Sequence, residues 1–166
     1  MAAKHAVVRT DKMFGTDNRA GQVSFEFMGS NGKTPTAIDN GNIVKIEKLK
    51  EGKREVMVAK QMAGDEKTVE GLALVATPET WYDREHNLDE FENEVGAICR
   101  GYMLHHNDIF AATAEAFATT PEVGQVVEAT AGTKLTTTSA PGAKALGTVI
   151  AIDKVGRYTY YVVEVK

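Results

Sequence analysis

Short runs of alternating apolar and polar residues recur at close spacing along this chain, and they limit its fold more strongly than any other feature. In residues 22–27, Val23, Phe25 and Phe27 alternate with polar residues, which is the period of a half-buried strand. Similar runs, rich in β-branched and aromatic residues, occupy residues 42–50, 53–62, 72–77, 125–130, 134–139, 147–155 and 157–166. Such closely spaced strands predict a mainly β fold, a largely antiparallel β-barrel or β-sandwich whose C-terminal third is a β-meander.

One segment has a helical pattern instead, and we predict a short helix near residues 88–95. Asn87 can act as an N-cap with Glu90 three residues later, and acidic residues fill the first turn. The predicted apolar face consists of Leu88, Phe91 and Val95. The fold class is therefore mainly β, or α+β, with one short helical insertion. Residues 108–118 are ambiguous between strand and helix.

Length and charge narrow the class of protein further. The chain has 166 residues, 43% of them hydrophobic, and a net charge of −4, which suits one domain without a basic surface for nucleic acid. No window approaches the roughly 20 apolar residues of a membrane-spanning helix, and the single cysteine cannot form an internal disulfide. We predict an extended N-terminal arm over residues 1–21, a single β-rich domain over residues 22–166, and neither nucleic acid nor membrane as a partner.

Residues 29–34, GSNGKT, end like a phosphate-binding loop, but the rest of that motif is absent. The motif needs a glycine at position 27, where this chain has Phe27, and it leads from a strand into a helix. Pro35 follows immediately, and both flanking segments have strand patterns. We therefore interpret residues 29–34 as a hairpin turn and predict no nucleotide site.

Residues 98–110, ICRGYMLHHNDIF, place cysteine, histidine and aspartate close together in sequence, which raises the question of a metal site. His105 and His106 are adjacent, and neighbouring side chains of an extended segment point to opposite faces. They also lack the spacings typical of zinc ligands. An alternative site would combine His86, one of this pair, and Asp83 or Asp108. We prefer the packing interpretation and predict no metal and no cofactor.

Thiol catalysis is the second chemistry that residues 98–110 raise. Cys99 and His105 are six residues apart, about 20 Å if the chain runs straight, so only a tight reversal at Gly101 would bring them together. Free cysteines more often act as buried apolar groups. We therefore predict that the protein is not an enzyme. A small enzyme that uses Cys99 or a His/Asp metal site stays as an alternative.

The aromatic residues leave two interpretations open. Trp81 and Tyr82 follow a proline-containing segment, and Tyr158, Tyr160 and Tyr161 lie in the last predicted strand. Aromatic rings with polar tips serve equally well in a core and in an interface with another protein. Because Tyr158 and Tyr160 share one face of that strand and Tyr161 lies on the other, at least one face carries polar-tipped rings.

The order of four segments carries a family resemblance that the chemistry alone does not. They are IDNGNIVKI (38–46), LVATPETWYDREHNLDEFENEVGAICRGYMLHHNDIFAATAEAF (74–117), EVGQVVEATAGTKL (122–135) and RYTYYVVEVK (157–166). Over roughly residues 37–166 this order resembles the head decoration proteins, also called cement or auxiliary capsid proteins, of tailed bacteriophages. The longest segment is similar to a family pattern of strand, Tyr-Asp turn, acidic short helix, RGY and GDIF-like strand entry. Asn107 stands at the glycine position of that pattern.

The resemblance implies a structural virion protein without catalysis or cofactor. Such a protein is synthesised in the host cytoplasm and adds to the outer capsid surface, where it bridges subunits of the major capsid protein and stabilises the expanded head. Neighbouring copies of the chain would be further partners, because many decoration proteins form homotrimers. The alternative within this class is another phage structural protein, such as a head fibre base or a tail-associated β protein.

The N-terminal 21 residues are largely polar and show no core of their own, so we expect them to order against a partner by strand addition. Together with the aromatic pair after Pro78, they are the predicted contacts with the capsid or with a neighbouring copy. The predicted contact residues are Lys4, His5, Arg9, Lys12, Phe14, Trp81 and Tyr82.

Overall fold

The computed structural model describes residues 4–81, 85–140 and 145–166, and within them the chain forms two β-sheet units. The strands are β1 (Val8–Lys12), β2 (Gln22–Phe27), β3 (Ile43–Leu49), β4 (Val56–Lys60), β5 (Leu72–Val75), β6 (Cys99–Met103), β7 (Ile109–Ala112), β8 (Val126–Ala129), β9 (Leu135–Thr138), β10 (Ala145–Val155) and β11 (Tyr158–Val165). The helical turns of this part of the chain are short: α1 (Phe14–Asp17) and 3-10 turns at Arg19–Gly21, Leu88–Glu90 and Ala114–Ala116. The predicted mainly β class is confirmed. No helix of the described residues has the length and apolar character to cross a membrane.

The first unit is a closed barrel of five strands in the order β2-β4-β3-β5-β6, with β6 pairing back to β2. Its pairs are antiparallel except one, because β2 runs parallel to β4, with Phe25 opposite Met57. The predicted largely antiparallel barrel is therefore correct in kind, with one parallel pair added. Val23, Phe25 and Phe27 point to the barrel core as the alternation predicts. Glu26, on the opposite face of β2, is also buried.

The second unit is a six-stranded antiparallel sheet in the order β1-β7-β11-β10-β8-β9. The predicted C-terminal meander is wrong in one connection, because β10 pairs with β8 and not with β9. The outer edge of β9 is occupied by an earlier segment, where the Ala118 N–H donates to the Leu135 carbonyl at 2.8 Å. With that edge taken, the other edge of β8 remains for β10.

One hydrophobic core joins the two units. Ile43, Leu72 and Leu74 from the barrel and Phe110 and Val163 from the sheet belong to the same buried cluster. The backbone also connects the units, since the Ile43 N–H donates to the Thr133 carbonyl at 2.8 Å. The barrel and the sheet are thus packed against each other.

The helix predicted near residues 88–95 is wrong beyond its first turn. Asn87 and Glu90 form the predicted capping box, but the helix is the single 3-10 turn Leu88–Glu90. The chain then becomes extended, because Asn93 exchanges backbone hydrogen bonds of 3.0 and 3.1 Å with Ile38 in an isolated β-bridge. Val95 is 66% exposed, so the predicted apolar face is not buried.

The N-terminal segment differs from the expected extended arm, because residues 4–21 pack on the domain itself. β1 is the edge strand of the six-stranded sheet and pairs with β7, with Val8 opposite Ala112. Ala6, Val7 and Met13 are buried. Because charged residues separate these small and apolar residues, the segment has no regular apolar alternation from which its burial could be predicted.

Candidate functional site

The predicted contact residues Lys4, His5 and Trp81 lie around one connection of the fold, the segment between β5 and β6. We call residues 76–98 the β5–β6 connection. Its described residues carry four large apolar side chains that are exposed, among ten such side chains in the described part of the chain. They are Trp81, Leu88, Val95 and Ile98. A second group, Ile150, Ile152 and Val155, lies on β10, so the β5–β6 connection carries the larger number of exposed apolar side chains among the described residues.

Buried asparagines hold the β5–β6 connection to the barrel. The Asn40 side chain donates to the Thr77 carbonyl at 2.8 Å and accepts the Thr77 N–H at 3.0 Å. The Asn93 side chain donates to the Ile38 carbonyl at 3.0 Å and to the Asn40 Oδ1 at 3.2 Å. These bonds hold the connection near Thr77 and near Asn93, within its described residues.

Asp89 joins the β5–β6 connection to two other segments. This carboxylate is 2% exposed and accepts hydrogen bonds from the Tyr158 hydroxyl at 2.7 Å, the Arg157 guanidinium at 3.1 Å and the Lys4 backbone N–H at 3.4 Å. Burial by itself raises the pKa of Asp89, but the hydrogen bonds from Tyr158 and Lys4 and the charge of Arg157 outweigh it, so the pKa is lowered. The charged carboxylate therefore links the N-terminal segment, the β5–β6 connection and the β10–β11 turn.

Glu90 adds a surface ion pair next to Asp89. Its carboxylate accepts hydrogen bonds from the Lys4 ammonium at 2.8 Å and from the Asn87 backbone N–H at 3.0 Å. The hydrogen bond from Lys4, followed by that from Asn87, lowers the pKa of Glu90 to about 2. Lys4, predicted as a partner contact, is thus already paired within the chain.

Trp81 is half-covered by its own neighbours. Its ring stacks on His86 with centroids 4.4 Å apart and meets the edge of Phe91 at 5.8 Å. A tryptophan ring held in this way offers a rigid apolar surface. Tryptophan is also enriched among the residues that contribute most to the binding energy of protein interfaces. Tyr82, predicted beside it as a contact, lies outside the described residues.

The remaining predicted contacts lie further along β1 and beyond it. Arg9 pairs with Asp153 at 3.2 Å and lies over the Tyr160 ring at 4.5 Å. Lys12 is exposed at the end of β1, and Phe14 packs on the His105 ring at 4.3 Å. The structure thus separates Arg9, Lys12 and Phe14 from the group of Lys4, His5 and Trp81.

The tyrosines of β11 mainly serve packing. Tyr161 belongs to the core cluster shared by the two units, and Tyr160 lies in a smaller cluster with Val7 and Ala111. Tyr158 is half-buried and donates to Asp89. Of the two interpretations that the sequence left open, the structure favours packing for these residues.

The segment 98–110 is structural in its described contacts. Asp108 is buried and accepts the backbone N–H groups of Phe14 at 2.7 Å and His105 at 2.8 Å, which closes the turn between β6 and β7. Asn107 has a φ of 70°, the left-handed region that glycine prefers and asparagine tolerates. This conformation accounts for the asparagine at the glycine position of the sequence pattern.

Cys99 is buried in the barrel core, and burial raises the pKa of its thiol to about 11. Burial both lowers the thiolate fraction and limits access to the sulfur, so we expect the folded chain to react with a disulfide reagent at least about 10-fold more slowly than the urea-unfolded chain. Stopped-flow absorbance at pH 7 measures both rates, with Cys99→Ala as the blank. Equal rates in the two states would contradict this protonated, inaccessible thiol.

One group of potential metal ligands forms within the described residues, and the sequence did not indicate it. His5, Asp39 and Glu92 each place a ligand atom within 4.8 Å of the others. Of these, His5 alone was among the predicted site residues. The three positions are far apart in sequence, so no spacing motif marks them. Asp83 of the predicted alternative site lies outside the described part of the chain.

Comparison with protein-family profiles, with curated protein sequences and with solved structures finds no match to this chain.

Proposed function

We propose that this protein is a structural virion protein that binds the outside of a phage capsid, bridges subunits of the major capsid protein and stabilises the expanded head. The proposal rests on the resemblance of its segment order to decoration proteins. The observation that carries it is the β5–β6 connection, where Trp81, Leu88, Val95 and Ile98 are exposed on one well-anchored segment. Contacts with neighbouring copies, including a homotrimer, belong to the same proposal.

The physical character of this connection suits a protein partner. Exposed apolar side chains gain free energy when another surface covers them, and tryptophan is enriched among the residues that dominate interfaces. The hydrogen bonds of Asn40, Asn93 and Asp89 already order the segment. A partner therefore meets a preorganised surface and loses less conformational entropy on binding than it would with a mobile loop.

We expect Trp81→Ala to weaken capsid binding about 30-fold, because truncating a central interface residue typically costs about 2 kcal/mol. Val95→Asp should weaken it comparably by placing a charge in the contact. The measurement is co-sedimentation of the purified chain with undecorated, expanded heads over a concentration series, read as the bound ratio to the major capsid protein.

Val123→Asp is the matched control for Val95→Asp. Val123 is 58% exposed, close to the 66% of Val95, and lies outside the β5–β6 connection. We expect the Val123→Asp variant to bind undecorated heads as strongly as the unmodified chain does. Saturable binding that neither Trp81→Ala nor Val95→Asp changes would reject the connection as the contact surface. Absence of saturable binding by the unmodified chain would reject decoration itself.

Deleting residues 2–20 is a poor test of the N-terminal contacts, because it removes β1 and the buried Ala6, Val7 and Met13. Loss of binding in that variant would report unfolding as readily as a lost contact. Lys12→Ala keeps the strand and removes only an exposed side chain.

Immunogold labelling of virions distinguishes a position on the head surface from a position at a fibre base or on the tail.

A further inference from the structure

We propose that His5, Asp39 and Glu92 form a binding site for a divalent transition-metal ion such as Zn²⁺. This inference does not depend on the proposed capsid role. It starts from the ligand atoms of the three side chains, which lie within 4.8 Å of one another. Imidazole and carboxylate groups are both among the ligand types that bind zinc in proteins, and a water would complete four-coordination here.

The distances require a small adjustment. Ligand bonds of about 2.0–2.2 Å in tetrahedral geometry put two ligand atoms about 3.3–3.6 Å apart. His5 Nδ1 and Asp39 Oδ1 are now 2.8 Å apart and share a proton. An ion between them replaces that proton, and the ring then carries its proton at Nε2. Glu92 is exposed, so its side chain can move by the remaining distance.

A neighbouring buried amide oxygen supports the assignment independently. Asp39, Asn42 and Glu92 line one open cavity of about 230 Å³. Asn42 is 3% exposed, and its Oδ1 is buried without a hydrogen-bond partner within the described part of the chain. The Asn42 amide donates to the Asp39 carbonyl at 3.0 Å, so this unpaired oxygen belongs to a residue in contact with one of the proposed ligand residues. Buried polar atoms nearly always have a partner, and a water bound to the ion would supply one.

The choice of ion follows from the ligand types. Mg²⁺ and Ca²⁺ prefer sites made of oxygen ligands alone, whereas an imidazole suits Zn²⁺ and its neighbours in the transition series. The three ligands come from three segments: His5 from the N-terminal segment, Asp39 from the loop before β3 and Glu92 from the β5–β6 connection. A bound ion would therefore fasten the N-terminus to both other segments.

The test is calorimetric titration of the untagged, chelator-treated full chain with Zn²⁺. We expect saturation at one ion per chain. His5→Gln and Glu92→Gln should each weaken the affinity by more than the roughly 10- to 100-fold that loss of an outer-sphere partner typically causes. Lys134→Ala should tighten it, because Lys134 lines the same cavity and repels a cation.

His106→Gln is the matched control, since His106 is an exposed histidine outside the cluster. At one Zn²⁺ concentration, the thermal midpoint should rise equally for the unmodified chain and for His106→Gln, and clearly less for His5→Gln. Circular dichroism checks that each variant is folded. If His5→Gln unfolds, Glu92→Gln still tests the site, because Glu92 is exposed and its substitution should not disturb the fold. No saturable binding, or the same affinity in Glu92→Gln as in the unmodified chain, would overturn the proposal.

Discussion

Asp89→Ala is expected to lower the free energy of unfolding by about 3 kcal/mol, since it removes a charged acceptor whose hydrogen bonds contribute about 1.5–3 kcal/mol each. The Tyr158 hydroxyl at 2.7 Å is the main contributor. The Arg157 side chain is 45% exposed, so solvent screens its ion pair and the pair contributes less. The substitution also releases the Lys4 backbone N–H, which should loosen the N-terminal segment. Urea denaturation at pH 7 measures the loss.

The pH dependence of that loss identifies its origin. Because the pKa of Asp89 is lowered in the folded protein, its charge stabilises the fold above the ordinary value of 3.8, and this contribution disappears as the pH falls through the folded pKa. The difference between the unmodified chain and Asp89→Ala should therefore shrink below pH 4. A difference that stays constant down to pH 2 would contradict an electrostatic origin.

Asp153→Ala is the control that removes an exposed carboxylate instead of a buried one. Asp153 is an exposed partner of Arg9 at 3.2 Å, and surface ion pairs contribute about 0–1 kcal/mol. We expect a loss within that range and no release of the N-terminal segment. Hydrogen exchange at Val7 and Val8 distinguishes the two variants, with faster exchange expected for Asp89→Ala alone.

Phe25→Ala is expected to cost about 4 kcal/mol in the free energy of unfolding. Phe25 has 0% exposure in the barrel core, and phenylalanine truncations at such sites cost about 3–5 kcal/mol through lost burial and the cavity left behind. Its ring also covers Gly101 of β6, where a Cβ would approach the ring at 3.0 Å. The ring thus fills the place at which β2 and β6 close the barrel. Chemical denaturation monitored by circular dichroism gives the value.

Phe14→Ala removes the same side chain from a surface position and is the matched comparison. Phe14 is 42% exposed and contacts the His105 ring, so we expect a loss of about 1 kcal/mol. If both truncations had equal effects, burial within the barrel would not be the source of the stabilisation by Phe25.

Local pattern predicted the strands well and their partners poorly. The alternation around Phe25 indicates which side chains enter the core, and the runs at residues 125–166 indicate strands. Alternation does not indicate the neighbouring strand, however. The pattern of buried and exposed side chains along a strand is the same whichever strand is hydrogen-bonded to its edge. The parallel β2–β4 pair and the β8–β10 pair were therefore beyond sequence reasoning.

Two of the predicted contact residues, Trp81 and Lys4, lie at the β5–β6 connection, and their contact with a partner stays a prediction. Asp89 was missed, because in the sequence it is one acidic residue in a predicted helical turn. Its partners Arg157 and Tyr158 are 68 and 69 residues away.

The sequence by itself determined the mainly β class, the positions of most strands and the capping box of Asn87 and Glu90. Each depends on residues that are close in the chain, where φ and ψ preferences and side-chain alternation act directly. The tertiary structure alone decided the strand order, the end of the helix after one turn, the burial of Asp89 and the meeting of His5 with Asp39 and Glu92. These depend on packing between distant segments, and there a backbone bridge such as that of Ile38 and Asn93 outweighs a local helical preference.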